Sequence, residues 1–101
     1  MEKASNLTVK GKNENGNFEV TCEGFFGIAA RKKTVIIGKV IKGIIDVGDE
    51  ILLVKGENNS MSDIVKEIQI DKTSYPRAVA CESIGICLGN SKLRYLRRFI
   101  N

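Results

Sequence analysis

The sequence predicts an all-β fold, a small barrel or a sandwich. Three observations carry that reading. Apolar residues recur in short runs rich in Val and Ile, glycines punctuate the chain between those runs, and no long helical pattern interrupts them. At 101 residues the chain is one domain with room for a single modest core.

Residues 1–17 are polar, with Gly11 and Gly16 set among Asn, Lys and Glu. They offer little apolar surface to bury and read as a partly flexible arm, with room for a short strand near Leu7–Val9. The folded domain is expected over residues 18–101. Phe18-Glu-Val-Thr-Cys22 alternates apolar and polar, as a half-buried strand does. Phe25–Ala30 reads as a second extended run, and Arg31-Lys32-Lys33 as an exposed turn.

Thr34–Ile41 is rich in β-branched residues, and Val35-Ile36-Ile37 has no polar alternation, so both faces are expected to be covered there. Gly38 in mid-strand signals a bulge or the close approach of another backbone. Gly43 and Gly48 flank a chain reversal, where glycine takes positive φ without strain. Glu50–Val54 is the returning strand, and residues 55–60 form a loop by composition. Ile64–Ile70 fits two patterns. Asp63 as a cap would start a helix with Ile64, Val65 and Ile68 on one face. As a strand, the preferred reading for so short a run, Ile64, Ile68 and Ile70 share a face. Pro76 makes Tyr75–Arg77 a turn or loop, and Ile84–Leu88 is a last core strand. Beyond it, residues 91–101 form a basic segment in which Leu93, Leu96 and Ile100 fall at helical spacing, as do Tyr95 and Phe99. A helix and an irregular turn leading to a closing strand both fit.

Charge and cysteine content narrow the function classes. Lys92, Arg94, Arg97 and Arg98 lie in a segment without acids and account for the whole net charge of +4. A second acid-free zone, Gly24 to Ile45, holds Arg31, Lys32, Lys33, Lys39 and Lys42. Such clusters attract anionic partners such as RNA, or they are solvated charge that keeps strand surfaces soluble. Cys22, Cys81 and Cys87 have no metal-ligand spacing and the chain has no histidine, so no metal site is expected and the thiols read as free. Cys87, in an apolar run, reads as a small buried residue. No apolar run approaches the roughly 18–20 residues that span a membrane, and Met-Glu-Lys-Ala-Ser-Asn at the start lacks a secretory core. The expectation is a cytoplasmic protein with no membrane partner.

The segment from Thr34 to Val54 supplies an apolar strand, Gly38, Val40, Gly43, Gly48 and Asp49 in a fixed order. A second block, Ala80-Cys-Glu-Ser-Ile-Gly85-Ile-Cys-Leu88, follows at a plausible separation. Together the two blocks resemble the second-domain β-barrel of translational GTPases of the elongation factor Tu type, over roughly Phe18 to Leu88. The resemblance implies a small closed antiparallel barrel of about six strands, present without its GTPase domain. Three departures from the family pattern stand out. Cys81 occupies a glycine position, Ala30-Arg-Lys-Lys33 replaces a glycine-rich turn, and the basic Leu93–Ile100 segment replaces a glycine and a short apolar strand.

In that family the barrel is not catalytic; it packs on the GTPase domain and contacts RNA. No phosphate loop of the form Gly-x-x-x-x-Gly-Lys-Ser/Thr occurs in this chain, so no bound nucleotide, cofactor or enzymatic activity is expected. Asp46, Asp49 and Glu50 cluster at a reversal, an ordinary place for acids. The resemblance and the basic clusters together lead to an RNA partner, tRNA or ribosomal RNA. Arg31, Lys32, Lys33, Lys92, Arg94, Arg97 and Arg98 would lie on phosphates, with Tyr95 and Phe99 as stacking platforms. Tyr95 and Phe99 would alternatively close one end of the core. The second expectation is a protein partner docked on Leu93, Leu96 and Ile100.

Overall fold

A computed structural model describes residues 1–28, 30 and 32–100. Along these the chain forms β1 (Glu2–Lys3), β2 (Leu7–Asn13), β3 (Gly16–Ile28), β4 (Lys33–Lys42), β5 (Ile44–Asp46) and β6 (Glu50–Lys55). It continues with β7 (Asn59–Ile70), β8 (Thr73–Tyr75), β9 (Arg77–Val79), β10 (Ser83–Leu88) and the helix α1 (Leu93–Ile100). Six strands close a ring in the order β3-β2-β6-β7-β10-β4, with β4 returning to β3, and every pairing is antiparallel. Closure leaves no open edge in the ring. β1 adds to β3, β8 to β7, and β5 pairs with β9 in a separate two-stranded sheet.

One apolar cluster fills the ring, with Val9 from β2, Phe18, Val20 and Phe25 from β3, and Ile36 and Val40 from β4. Ile51 and Leu53 of β6, Val65 and Ile68 of β7, and Ile84, Ile86 and Leu88 of β10 complete the wall, and Leu96 and Ile100 of α1 pack into it. The choice between a helix and a closing strand after residue 91 thus falls to the helix. The ring needs no further strand, because β10 pairs with β4.

The barrel takes in Leu7–Asn13, a segment whose composition reads as an arm. Leu7 and Val9 are buried, and β2 is paired along its length with β3 and with β6. Two alternating apolar side chains suffice where the backbone is hydrogen-bonded on both sides, and a composition average hides them.

The runs read as two strands, Phe18–Cys22 and Phe25–Ala30, are one strand with a bulge. Cys22 opposes Gly38 and Gly24 opposes Ile37, so Glu23 is the extra residue, and its carbonyl accepts the Ala4 N–H at 3.1 Å. The bulge changes which parity faces inward: Phe18, Val20 and Cys22 are buried before it and Phe25 after it. Gly38 lies opposite this bulge. A Cβ there would overlap the Thr21 carbonyl oxygen, so the close backbone approach read from the sequence is present. Gly43 and Gly48 have φ of 76° and 96°, as the reversal requires.

Ile64–Ile70 belongs to a strand, and of the face expected to be shared Ile68 and Ile70 pack in the core while Ile64 does not. Ile64 is exposed while Val65 and Ile68 are buried. Cys87 pairs with Glu67 and Leu88 with Val65, which places Lys66 in a second bulge and shifts the inward parity within β7. Residues 75–77, read as a turn, instead join two short strands, β8 and β9, around Pro76. Val35 and Ile36 are both buried on successive faces, as expected, and so is Cys87, which lies outside the apolar cluster of its neighbours. Burial raises the thiol pKa of Cys87, and that of Cys22 to about 12.

Candidate functional site

The basic C-terminal segment is helical because its apolar residues form one stripe. Leu96 and Ile100 are buried, Leu93 and Phe99 pack against the core from its flanks, and the cations occupy the rest of the surface. Arg97 and Arg98 stand in the last turn, where the helix dipole favours positive charge. Leu96 and Tyr95 donate their N–H groups to the Lys92 carbonyl at 3.1 and 3.0 Å, which fixes the first turn.

A buried carboxylate sets the position of this helix. Asp63, 2% exposed on β7, accepts N–H bonds from Gly89, Asn90 and Ser91 at 3.1, 2.9 and 2.8 Å, and one from Ile64 at 2.7 Å. These bonds satisfy a buried charge and hold the reversal between β10 and α1. Asp63 therefore caps backbone, but not that of a helix at residue 64. At the other end of α1 the Arg97 guanidinium meets Glu2 at 2.5 Å.

So placed, the start of α1 faces the β3–β4 hairpin across a cleft of about 390 Å³. Gly27 and Ile28 of β3, Thr34 of β4 and Leu93 of α1 line it, with Lys32, Lys33 and Lys92 around them. A Cβ on Gly27 would lie 2.9 Å from a Leu93 methyl, so the bare glycine permits the helix to approach. The chain brings together cations some sixty positions apart, from the two clusters seen in the sequence.

The expected site residues do not share one fate. Lys32, Lys92, Arg94 and Arg98 are exposed, and Lys32 adopts φ 51°. The Lys33 ammonium is held by Glu67 at 2.7 Å, with the two side chains 24% and 22% exposed. Arg97 is engaged by Glu2. The Arg94 guanidinium carbon sits 5.1 Å from the centroid of the Tyr95 ring, which is itself exposed. An Arg94 hydrogen bond to the phenol oxygen and the Arg94 charge lower the Tyr95 pKa, with a smaller contribution from Lys92. Arg31 lies outside the described residues. Phe99 packs on the core and is not an open stacking platform. Leu96 and Ile100 are buried in the chain's own barrel and Leu93 is half-buried at the cleft, so the three do not form a free docking stripe.

Glu67 is the site residue the sequence did not reveal. Besides Lys33, it accepts hydrogen bonds from Gln69 at 3.0 Å and from Ser74. The bond from Lys33 and those from Ser74 and Gln69 lower its pKa to about 2. The pairing spans β4 and β7, which are separated in the ring by β10, so neither spacing nor composition marks it.

The acids at the far end of β4 work locally. Asp49 accepts the Asp46 N–H and the Asn13 amide, both at 2.8 Å, and Asp46 pairs with Arg77 at 2.6 Å. Among the described residues no three Cys, Asp or Glu side chains are grouped as a metal would require, and no helix is long and apolar enough to cross a membrane. No protein-family model matches the chain, and no curated protein matches it.

Proposed function

We propose that this barrel is a non-catalytic RNA-binding module of the translation-factor barrel type, acting on tRNA or ribosomal RNA. The observation that carries the reading is the convergence of Lys32 and Lys92 on one cleft, with Arg94 and Arg98 exposed on the adjoining helix. Phosphate contacts of this kind are dominated by counterion release and weaken steeply with salt. The resemblance of Thr34–Val54 and Ala80–Leu88 to the RNA-contacting barrel points the same way. Electrophoretic mobility with tRNA and with ribosomal RNA, at low and physiological salt, tests it. Salt-sensitive binding is expected from the wild type, and the double substitution Lys32→Ala, Lys92→Ala should weaken it about tenfold or more. Absence of binding at low salt would reduce both clusters to solvated charge.

A second reading, a protein-interaction module, draws on a different region. Val79 pairs with Ile44 in the β5–β9 sheet, the Val47 N–H is bonded to the Pro76 carbonyl beside Tyr75, and Val47, Tyr75 and Val79 are all exposed. Sedimentation velocity across a concentration series tests for self-association through that end. Binding to RNA with a concentration-independent monomer mass would remove this reading.

A further inference from the structure

The cleft is not a flat basic surface. Its floor is apolar, built from Gly27, Ile28 and Leu93, while Lys32 and Lys92 supply the charge. At about 390 Å³ it has the dimensions of a small-ligand pocket. Duplex phosphates would meet the lysines but leave the apolar floor empty. An unpaired nucleotide uses both, because a base offers an apolar face and its backbone offers the charge.

A second feature lies on α1. Tyr95 stands in the first turn of α1, and its N–H donates to the carbonyl of Lys92, the residue that precedes the helix. Tyr95 is 46% exposed, and the Arg94 guanidinium carbon lies 5.1 Å from its ring centroid. An exposed aromatic ring backed by a guanidinium is a stacking platform for a base.

Building on the RNA reading of this same cleft, we propose that the ligand is single-stranded RNA, with one unpaired base in the cleft and a neighbouring base on Tyr95. Lys32 and Lys92 hold the phosphates between them. Lys33 contributes little while Glu67 holds it, so the charge at the cleft comes from Lys32 beside β4 and Lys92 before α1.

The test compares a fluorescein-labelled single-stranded RNA with the same strand annealed as a blunt duplex, by anisotropy at low and physiological salt. The single strand should bind at least about tenfold more tightly, in line with the contribution of one stacked base. Tyr95→Ala should erase most of that preference and Tyr95→Phe should keep it, both substitutions lying on an exposed surface. Gly27→Ala, whose added methyl crowds Leu93 in the lining of the cleft, should weaken single-strand binding more than duplex binding. Equal affinity for the two forms, or a preference untouched by Tyr95→Ala, overturns the inference and leaves the RNA reading standing. Failure of both forms to bind at low salt overturns the RNA reading and this inference with it.

Discussion

The two ends of β4 are built on different plans. At the Lys42 end, glycines take the left-handed positions and the acids are used up in holding the turn: Gly43 and Gly48 have φ of 76° and 96°, Asp49 binds backbone and Asn13, and Asp46 binds Arg77. At the Lys33 end, Lys32 takes a left-handed conformation, and Lys32 and Lys92 face solvent across a cleft. One end uses its polar groups to stabilise itself, while the other leaves charge available and relies on a remote anchor, Asp63. The proposed RNA contact uses the second end, where Lys32 and Lys92 have no carboxylate partner among the described residues.

The largest effect should come from removing that anchor. Asp63→Ala leaves the N–H groups of Asn90 and Ser91 without the acceptor that holds them, while the Gly89 N–H keeps its bond to the Ile64 carbonyl at 2.9 Å. A loss of about 3 kcal/mol in urea unfolding is expected, because several bonds to one charged acceptor are lost together. The Gly48 turn is bonded to β7 through backbone alone, the Gly48 N–H to the Val65 carbonyl and the Val65 N–H to the Asp49 carbonyl, and these bonds do not use the Asp63 side chain, so hydrogen exchange should rise in residues 89–100 before it rises in β5 and β6. A uniform rise would mean that the two ends are not separable as described.

The comparison extends to backbone conformation. Gly43→Ala combines φ 76° with a Cβ that would overlap the Asn17 carbonyl oxygen, and a cost of about 2 kcal/mol is expected. Cys81 meets the same demand without glycine. The Glu82 N–H donates to the Val79 carbonyl at 3.2 Å and Cys81 has φ 78°, the geometry of a type II turn with its third residue left-handed. Cys81→Gly should therefore raise the urea midpoint, by about 1 kcal/mol of stability, while the thiol it removes is exposed and packs on nothing essential to the core. If Cys81→Gly lowered the midpoint, the turn would not be under the strain inferred from its φ.

This contrast also shows what the sequence made legible. Glycine announces a left-handed residue, so Gly43, Gly48 and the strands outside them were readable from spacing, but β5 between the two glycines was not, and β6 is no returning partner of β4, since it pairs with β2 and β7. Asp71 and Lys72, with φ of 50° and 66°, form the tight β7–β8 turn without any glycine, and Pro76 masked the short strands that follow. The bulges at Glu23 and Lys66 change the inward parity within a strand, which turned one strand into two apparent runs and put Ile64 on the wrong face. At the site, the cations and Tyr95 were readable as residue types in clusters. Their convergence was not, because it depends on how α1 is tied to β7 through Asp63. Nor was the neutralisation of Lys33, which depends on a carboxylate two strands away in the ring.

That neutralisation gives the smallest and most discriminating prediction. Glu67 has its pKa lowered to about 2 from an ordinary value of 4.5. A lowered carboxylate pKa means that the folded state favours the ionised form, so the contribution is complete above about pH 4.5 and is lost as pH falls towards 2. For a pair at this degree of exposure about 1 kcal/mol is expected at neutral pH. The stability difference between wild type and Glu67→Gln should thus shrink steadily as pH falls from 4.5 through 2, and a difference that does not shrink over that range would assign the effect to packing. At neutral pH the same substitution frees Lys33 beside the cleft. RNA affinity should rise in Glu67→Gln even as stability falls, with the salt dependence steepened by about 0.7–0.9 in logarithmic slope, the increment for one added phosphate contact. Opposite signs for binding and stability from a single residue would show that Glu67 spends at the Lys33 end the kind of charge that the Lys42 end commits to its own turn.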